Sequence, residues 1–138
     1  MAENNEKRLQ KLYMQSQVLE HHIKHMQQQA AALNAQLVEL LGAMQSLEDF
    51  KTVKPGTEIL VPISSGVYAK AELKDTENLV VNVGAGTSVK KNLGDTKKIV
   101  ESQVDEMKKI QEQILVELDK LTTQAALIER EMGKIASE

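Results

Sequence analysis

The sequence predicts an α+β chain in which a long antiparallel α-helical coiled coil carries two central β-hairpins. Three observations predict it. Apolar residues recur at alternating steps of three and four from Leu9 to Leu47 and again from Leu93 to Ile135. A seven-residue repeat of this kind makes two long helices that each bury one narrow seam. The stretch between them, 51–92, is β-branched and broken by turn residues. Because the arms match in length, folding back antiparallel lets one seam cover the other and brings both chain ends to one tip. The expected organisation is a single domain over 1–138, with helices at 4–49 and 95–136 and hairpins at 51–92.

The first arm has its seam at Leu9, Leu12, Ser16, Leu19, Ile23, Met26, Ala30, Leu33, Leu37, Leu40, Met44 and Leu47, with Ser16 the sole polar member. Asn4 or Asn5 is suited to cap its start, since a short polar side chain can accept from the free backbone N–H groups of a first turn. About 44 residues at roughly 1.5 Å each give a rod of about 65 Å. Gly42 lies off the seam, where it costs about 1 kcal/mol against Ala and permits a bend.

In the middle segment, Pro55-Gly56 marks a turn. Strands are expected at Glu58 to Ile63, Val67 to Lys74, Leu79 to Val83 and Thr87 to Lys91. Ser64-Ser65-Gly66 and Gly84-Ala85-Gly86 close the hairpins, and Asp75 to Asn78 joins them. Val67, Ala69, Ala71 and Leu73 alternate with Tyr68, Lys70, Glu72 and Lys74, so one face is built to be buried. A pair of isolated hairpins is marginal in water and exposes unpaired edges. The helices have already used their apolar stripe on each other, so the β segment is expected to complete itself against other subunits.

The second arm starts after Gly94, with Asp95 as the expected cap, and runs to about Ala136; Gly133 suggests fraying near its end. Its seam is Leu93, Lys97, Val100, Val104, Met107, Gln111, Ile114, Leu118, Leu121, Ala125, Ile128, Met132 and Ile135, in which Lys97 and Gln111 are the polar exceptions.

Composition narrows the function classes. Tyr13, Phe50 and Tyr68 are the only aromatics, and Trp and Cys are absent. Leu, Val, Ile, Ala and Met fill seams and small strands rather than a thick core, so no deep catalytic cleft is expected from one copy. Without cysteine there is neither a disulfide framework nor a thiolate metal site, which fits a reducing compartment. The 17 basic and 20 acidic residues are interspersed, which argues against nucleic acid as the main partner. Met1 to Arg8 is polar, with no apolar core of a signal segment, and no run of about 18 apolar residues occurs. The expectation is a soluble cytoplasmic protein with no membrane association.

With the two arms, Gly66-Val67-Tyr68-Ala69-Lys70-Ala71 in the first hairpin, and Val81-Asn82-Val83-Gly84-Ala85-Gly86 with Val89 in the second, the chain resembles the archaeal prefoldin family in its alpha class, over essentially its whole length. Two hairpins rather than one point to that class. Members often carry an aromatic residue after the second glycine, where this chain has Thr87-Ser88. The resemblance implies a hexamer of two alpha and four beta subunits. In it the hairpins join an intersubunit β barrel and the coiled coils hang as tentacles around a cavity. It implies capture of unfolded polypeptides at the tips, delivery to a group II chaperonin, and no nucleotide or other cofactor.

The residues give their own case for the tip. Antiparallel pairing places Leu9, Leu12 and Tyr13 near Ile128, Met132 and Ile135, where the last seam residues lose covering neighbours and expose apolar surface. The bland alternative is that they are the last knobs of the coil. For oligomerisation the candidates are Val67, Ala69, Ala71, Leu73, Leu79, Val81 and Val83.

Other motifs weigh less. His21 and His25 are four apart and could clamp a metal with His22 nearby, but no third ligand converges and both fall on the outer face. Val83 to Ser88 resembles a phosphate loop but lacks the third glycine and the following helix of one type and the Gly-Lys-Ser/Thr of the other. Lys90-Lys91 and Lys97-Lys98 have no interleaved aromatics for base stacking. No nucleophile–base or paired-carboxylate constellation occurs, so an enzyme is not expected. Two readings remain: an ATP-independent holdase, or a structural coiled-coil scaffold that oligomerises through its hairpins. An enzyme with a composite intersubunit site is a distant third.

Overall fold

A computed structural model describes residues 2–137. Six elements follow in the order helix, two hairpins, helix: α1 (Ala2–Phe50), β1 (Glu58–Ser64), β2 (Val67–Glu72), β3 (Asn78–Gly84), β4 (Thr87–Asn92) and α2 (Leu93–Ala136). The chain falls into two compact units, one formed by the segments up to Leu37 and from Met107 onward, the other by Val38–Glu106.

In the first unit the seams are where the repeat puts them. Ser16, Leu37, Ile114 and Leu121 are buried and the remaining seam positions of both segments are half-buried. The pairing is antiparallel: Leu9 and Tyr13 share a groove with Met132 and Ala136, and farther along Leu19 shares one with Gln124 and Ile128. α1 runs past both expected ends, whereas α2 starts two residues early and stops at Ala136 as expected. Asn4 and Asn5 lie inside α1, which is already helical at Ala2, so neither caps it. α2 continues through Gly133 to Ala136, and the Ser137 N–H donates to the Gly133 carbonyl at 3.1 Å, so the turn there is closed rather than frayed.

In the second unit α1 continues without a break through Gly42 to Phe50. The hairpins form two separate two-stranded antiparallel sheets. In the first, Ile59 pairs with Ala71 and Val61 with Ala69, and the register shifts between Pro62 and Ser64 as the chain enters the turn. Gly66 has φ of 78°, a conformation that costs a side-chain-bearing residue about 1–2 kcal/mol. In the second, Val81 pairs with Val89 and the turn is Ala85-Gly86. Leu73 is not in β2, contrary to expectation. It is nonetheless tied to the strand's base, its N–H donating to the Thr57 carbonyl at 2.9 Å and its carbonyl accepting from Gly56 at 2.7 Å.

The start of α2 also differs from expectation. The side-chain oxygen of Asn92 accepts from the Asp95 N–H at 2.7 Å, so Asn92 is the cap and Asp95 the third helical residue. There Asp95 places a negative charge beside the positive end of the helix dipole.

Candidate functional site: the paired chain ends

Within the first unit the helical segments leave an open groove of about 460 Å³, lined by Leu9, Gln10, Tyr13, Met132, Gly133 and Ala136. Its floor is made by seam residues Leu9 and Met132, half-buried because the repeat turns them inward, and its wall by Tyr13, which is 57% exposed. Gly133 contributes no side chain, and a Cβ added there would meet nothing within 4 Å. A second groove of about 530 Å³ is lined by Lys11, Met14, Gln15, Val18, Leu19, Gln124 and Ile128. Met14 is 67% and Val18 69% exposed.

Of the six residues expected at the tip, the first groove thus contains Leu9, Tyr13 and Met132, and the second contains Ile128. Leu12 and Ile135 line neither and are half-buried seam positions. The periodicity overlooked Met14 and Val18, which lie off the seam, together with exposed Leu127. The available signal was their spacing: Met14 and Val18 are one helical turn apart and share a flank.

Chemically both grooves are shallow and apolar, with Lys11 the one ionisable side chain lining them besides the Tyr13 phenol. They contain no convergent set of polar groups to orient a small molecule, which specific ligand sites require. The Gln17 side-chain amide donates to the Tyr13 hydroxyl at 3.0 Å, steadying the ring on α1.

The candidate oligomerisation residues divide by exposure. Val67, Ala69 and Val83 are exposed, while Ala71, Leu73, Leu79 and Val81 are half-buried. Every strand of the two sheets has one unpaired edge, the arrangement that favours pairing with another chain.

The remaining motifs sit as follows. His21, His22 and His25 are exposed, and His25 is within 3.3 Å of the Gln29 amide. No group of three or more His, Cys, Asp or Glu side chains able to hold a metal occurs among the described residues. Gly84-Ala85-Gly86 is a hairpin turn, and the Asn82 side chain accepts from the Gly84 N–H at 3.0 Å. Lys90 lies 3.8 Å from Asp75, and Lys97 2.9 Å from Glu48. The Asp75 carboxyl is held below its ordinary value, first by the N–H groups of Glu77 and Asn78 that donate to it and then by the Asn78 side-chain amide. These bonds close the link between the hairpins. No helix among the described residues is long and apolar enough to cross a membrane.

Comparison with known proteins places this geometry. The family model for prefoldin subunits matches residues 19–138. The prefoldin subunit alpha of Pyrococcus horikoshii is 34% identical over 126 residues, covering 87% of this chain and 83% of its own. That of Methanococcus vannielii is 26% identical over 129 residues, covering 94% and 86%. A chain from the cryo-electron microscopy structure of a filamentous PFD of Methanocaldococcus jannaschii has the same fold, with a TM-score of 0.74 at 18% identity over 83% of this chain and 95% of that one.

Proposed function

Because this chain belongs to the prefoldin family, whose members have a chaperone-associated role, we propose that it is the alpha-type subunit of an ATP-independent holdase that captures non-native polypeptides at its paired chain ends. The observation that carries this reading is the open apolar groove of Leu9, Tyr13 and Met132, with a second beside Met14, Val18 and Ile128. A shallow apolar surface without fixed polar partners suits weak, sequence-tolerant contact with exposed hydrophobic segments. Met14 and Met132 add to this, because an unbranched, polarizable side chain repacks against varied partners. Weak contact at one tip becomes useful retention when several tips act together.

Assembly supplies that multiplicity. In this reading the hairpin residues Val67, Ala69, Ala71, Leu73, Leu79, Val81 and Val83 pack against beta-type partners in an intersubunit barrel, as two alpha and four beta subunits. The complex works in the cytoplasm and hands its clients to a group II chaperonin. Apolar side chains left exposed on the hairpins and strands with free edges support this part. No reaction, metal or nucleotide enters the mechanism.

Light scattering from a chemically denatured client tests the holdase reading. The assembled complex is expected to suppress aggregation at stoichiometric amounts, and a complex lacking residues 1–12 and 128–138 is expected to lose that effect while keeping its size. Equal protection by the truncated complex removes the tips from the mechanism. No protection by the intact complex leaves the scaffold reading. Val81→Asp tests assembly separately, since a charge buried at that position costs several kcal/mol and should abolish the complex while the helices persist.

A further inference from the structure

One flank of the first unit is apolar at one end and cationic at the other. Besides the groove of Met14, Val18 and Ile128, this flank has another of about 480 Å³, lined by Leu127, Ile128, Arg130, Glu131 and Lys134. Ile128 lines both, so the two grooves form one strip. Along it each helix lays out a row at i, i+3 and i+7, a spacing that keeps to a single helix face. The row on α1 is Lys11, Met14 and Val18, and the row on α2 is Leu127, Arg130 and Lys134. The helices are antiparallel, with Leu9 beside Met132 and Ala136. Lys11 therefore stands on the chain-end side of Met14 and Val18, and Arg130 and Lys134 stand on the chain-end side of Leu127. The three apolar residues are all exposed.

The cations have no counterion within the chain. Every ion pair among the described residues lies in the second unit, and none involves Lys11, Arg130 or Lys134. Glu131 is the one carboxylate lining the strip. Glu20 and Glu129 stand five residues past Gln15 and Gln124, which do line it. At about 100° per residue, five residues turn them about 140° away, onto the other flank. An occupant that fits the whole strip thus brings apolar side chains to Met14, Val18 and Leu127 and carboxylates to the cationic end. A segment flanked by Lys or Arg fits the apolar end and meets like charge at the other.

We propose that this strip selects among non-native segments, holding those in which an apolar stretch adjoins Asp or Glu, with Lys11, Arg130 and Lys134 as the specificity-determining residues. The inference rests on the holdase reading in taking the occupant to be a non-native polypeptide.

Fluorescence anisotropy on the complex of the full chain with an archaeal prefoldin beta subunit tests it, with each variant sized in parallel. The probes are two labelled peptides of one apolar sequence, flanked by Glu in one and by Lys in the other. The wild-type complex is expected to bind the Glu-flanked peptide about fivefold more tightly at low salt, with the difference fading as salt is raised. Lys11→Glu with Arg130→Glu and Lys134→Glu is expected to reverse the order while the complex keeps its size, a result that loss of structure does not give. Glu131→Gln is expected to widen the wild-type preference, and Met14→Ser with Val18→Ser to weaken both peptides alike. Equal affinity for the two peptides, or a preference that survives charge reversal, overturns the inference and leaves the holdase reading standing. So does binding of phosphatidylglycerol vesicles in place of the Glu-flanked peptide, which assigns the strip to an anionic membrane surface. If neither peptide binds, the inference falls, and the holdase reading falls with it only when the same complex also fails to suppress aggregation of a denatured client.

Discussion

Lys97 donates to the Glu48 carboxylate at 2.9 Å, joining residues 49 positions apart in the chain. This contact accounts for a polar residue at a seam position: the half-buried Lys97 finds an anionic partner in Glu48, which Lys51 also contacts at 3.1 Å. The bond from Lys97, then that from Lys51, holds the Glu48 carboxyl below its ordinary 4.5, and the same bond raises Lys97 above 10.5.

The pair therefore stabilises the fold fully above the ordinary carboxylate value, and this contribution is lost as pH falls through the lowered value of Glu48. At the alkaline end it is present below the ordinary lysine value and is lost as pH rises through the raised value of Lys97. Both groups are open to solvent, which keeps the effect small. Glu48→Gln is expected to lower the thermal midpoint slightly at neutral pH, with the difference vanishing in acid and shrinking in high salt. A difference that persists at pH 2 contradicts this.

Asn92→Ala is expected to cost about 1 kcal/mol of unfolding free energy, because the Asp95 N–H loses its acceptor. Asn92→Asp should retain most of that stability. Urea denaturation followed by circular dichroism measures both. If Asp95→Ala proves more damaging than Asn92→Ala, the cap has been assigned to the wrong residue.

Ala85 has φ of 51° beside Gly86 at 71°, so both central residues of the second turn are left-handed. Such a two-residue turn matches the twist of its strands and prefers Asn-Gly. Ala85→Asn or Ala85→Gly is expected to stabilise the hairpin by about 0.5–1 kcal/mol, read as slower amide exchange in β3 and β4. Unchanged or faster exchange removes the strain argument.

The elements legible in the sequence were those with many concordant positions. The seams of both helices were readable because a seven-residue repeat over dozens of residues has one folded solution, and even Ser16 and Gln111 are protected at the positions the repeat assigned them. The hairpins were legible from Gly66 and Gly86, whose positive φ the turns require. What escaped depended on single atoms or on the second side of an element. Asn92 outcompetes Asp95 as cap because its side chain reaches an N–H three residues on, which no pattern of types distinguishes. Leu73 falls beyond β2 because its partner is the 56–57 turn rather than a strand. Met14 and Val18 were missed because a seam describes what one helix face buries and says nothing of apolar residues on the flank.

The most direct measurement places a photoreactive amino acid at Tyr13 or, in a separate assembly, at Val116, and asks which captures a denatured client. Both positions are exposed and apolar in character, at 57% and 69%, but only Tyr13 lines a groove built with Leu9 and Met132. The account predicts strong crosslinking at Tyr13, reduced by Leu9→Ser with Met132→Ser, and little at Val116. Equal capture at the two positions, or capture at Val116 alone, would contradict binding at the paired chain ends.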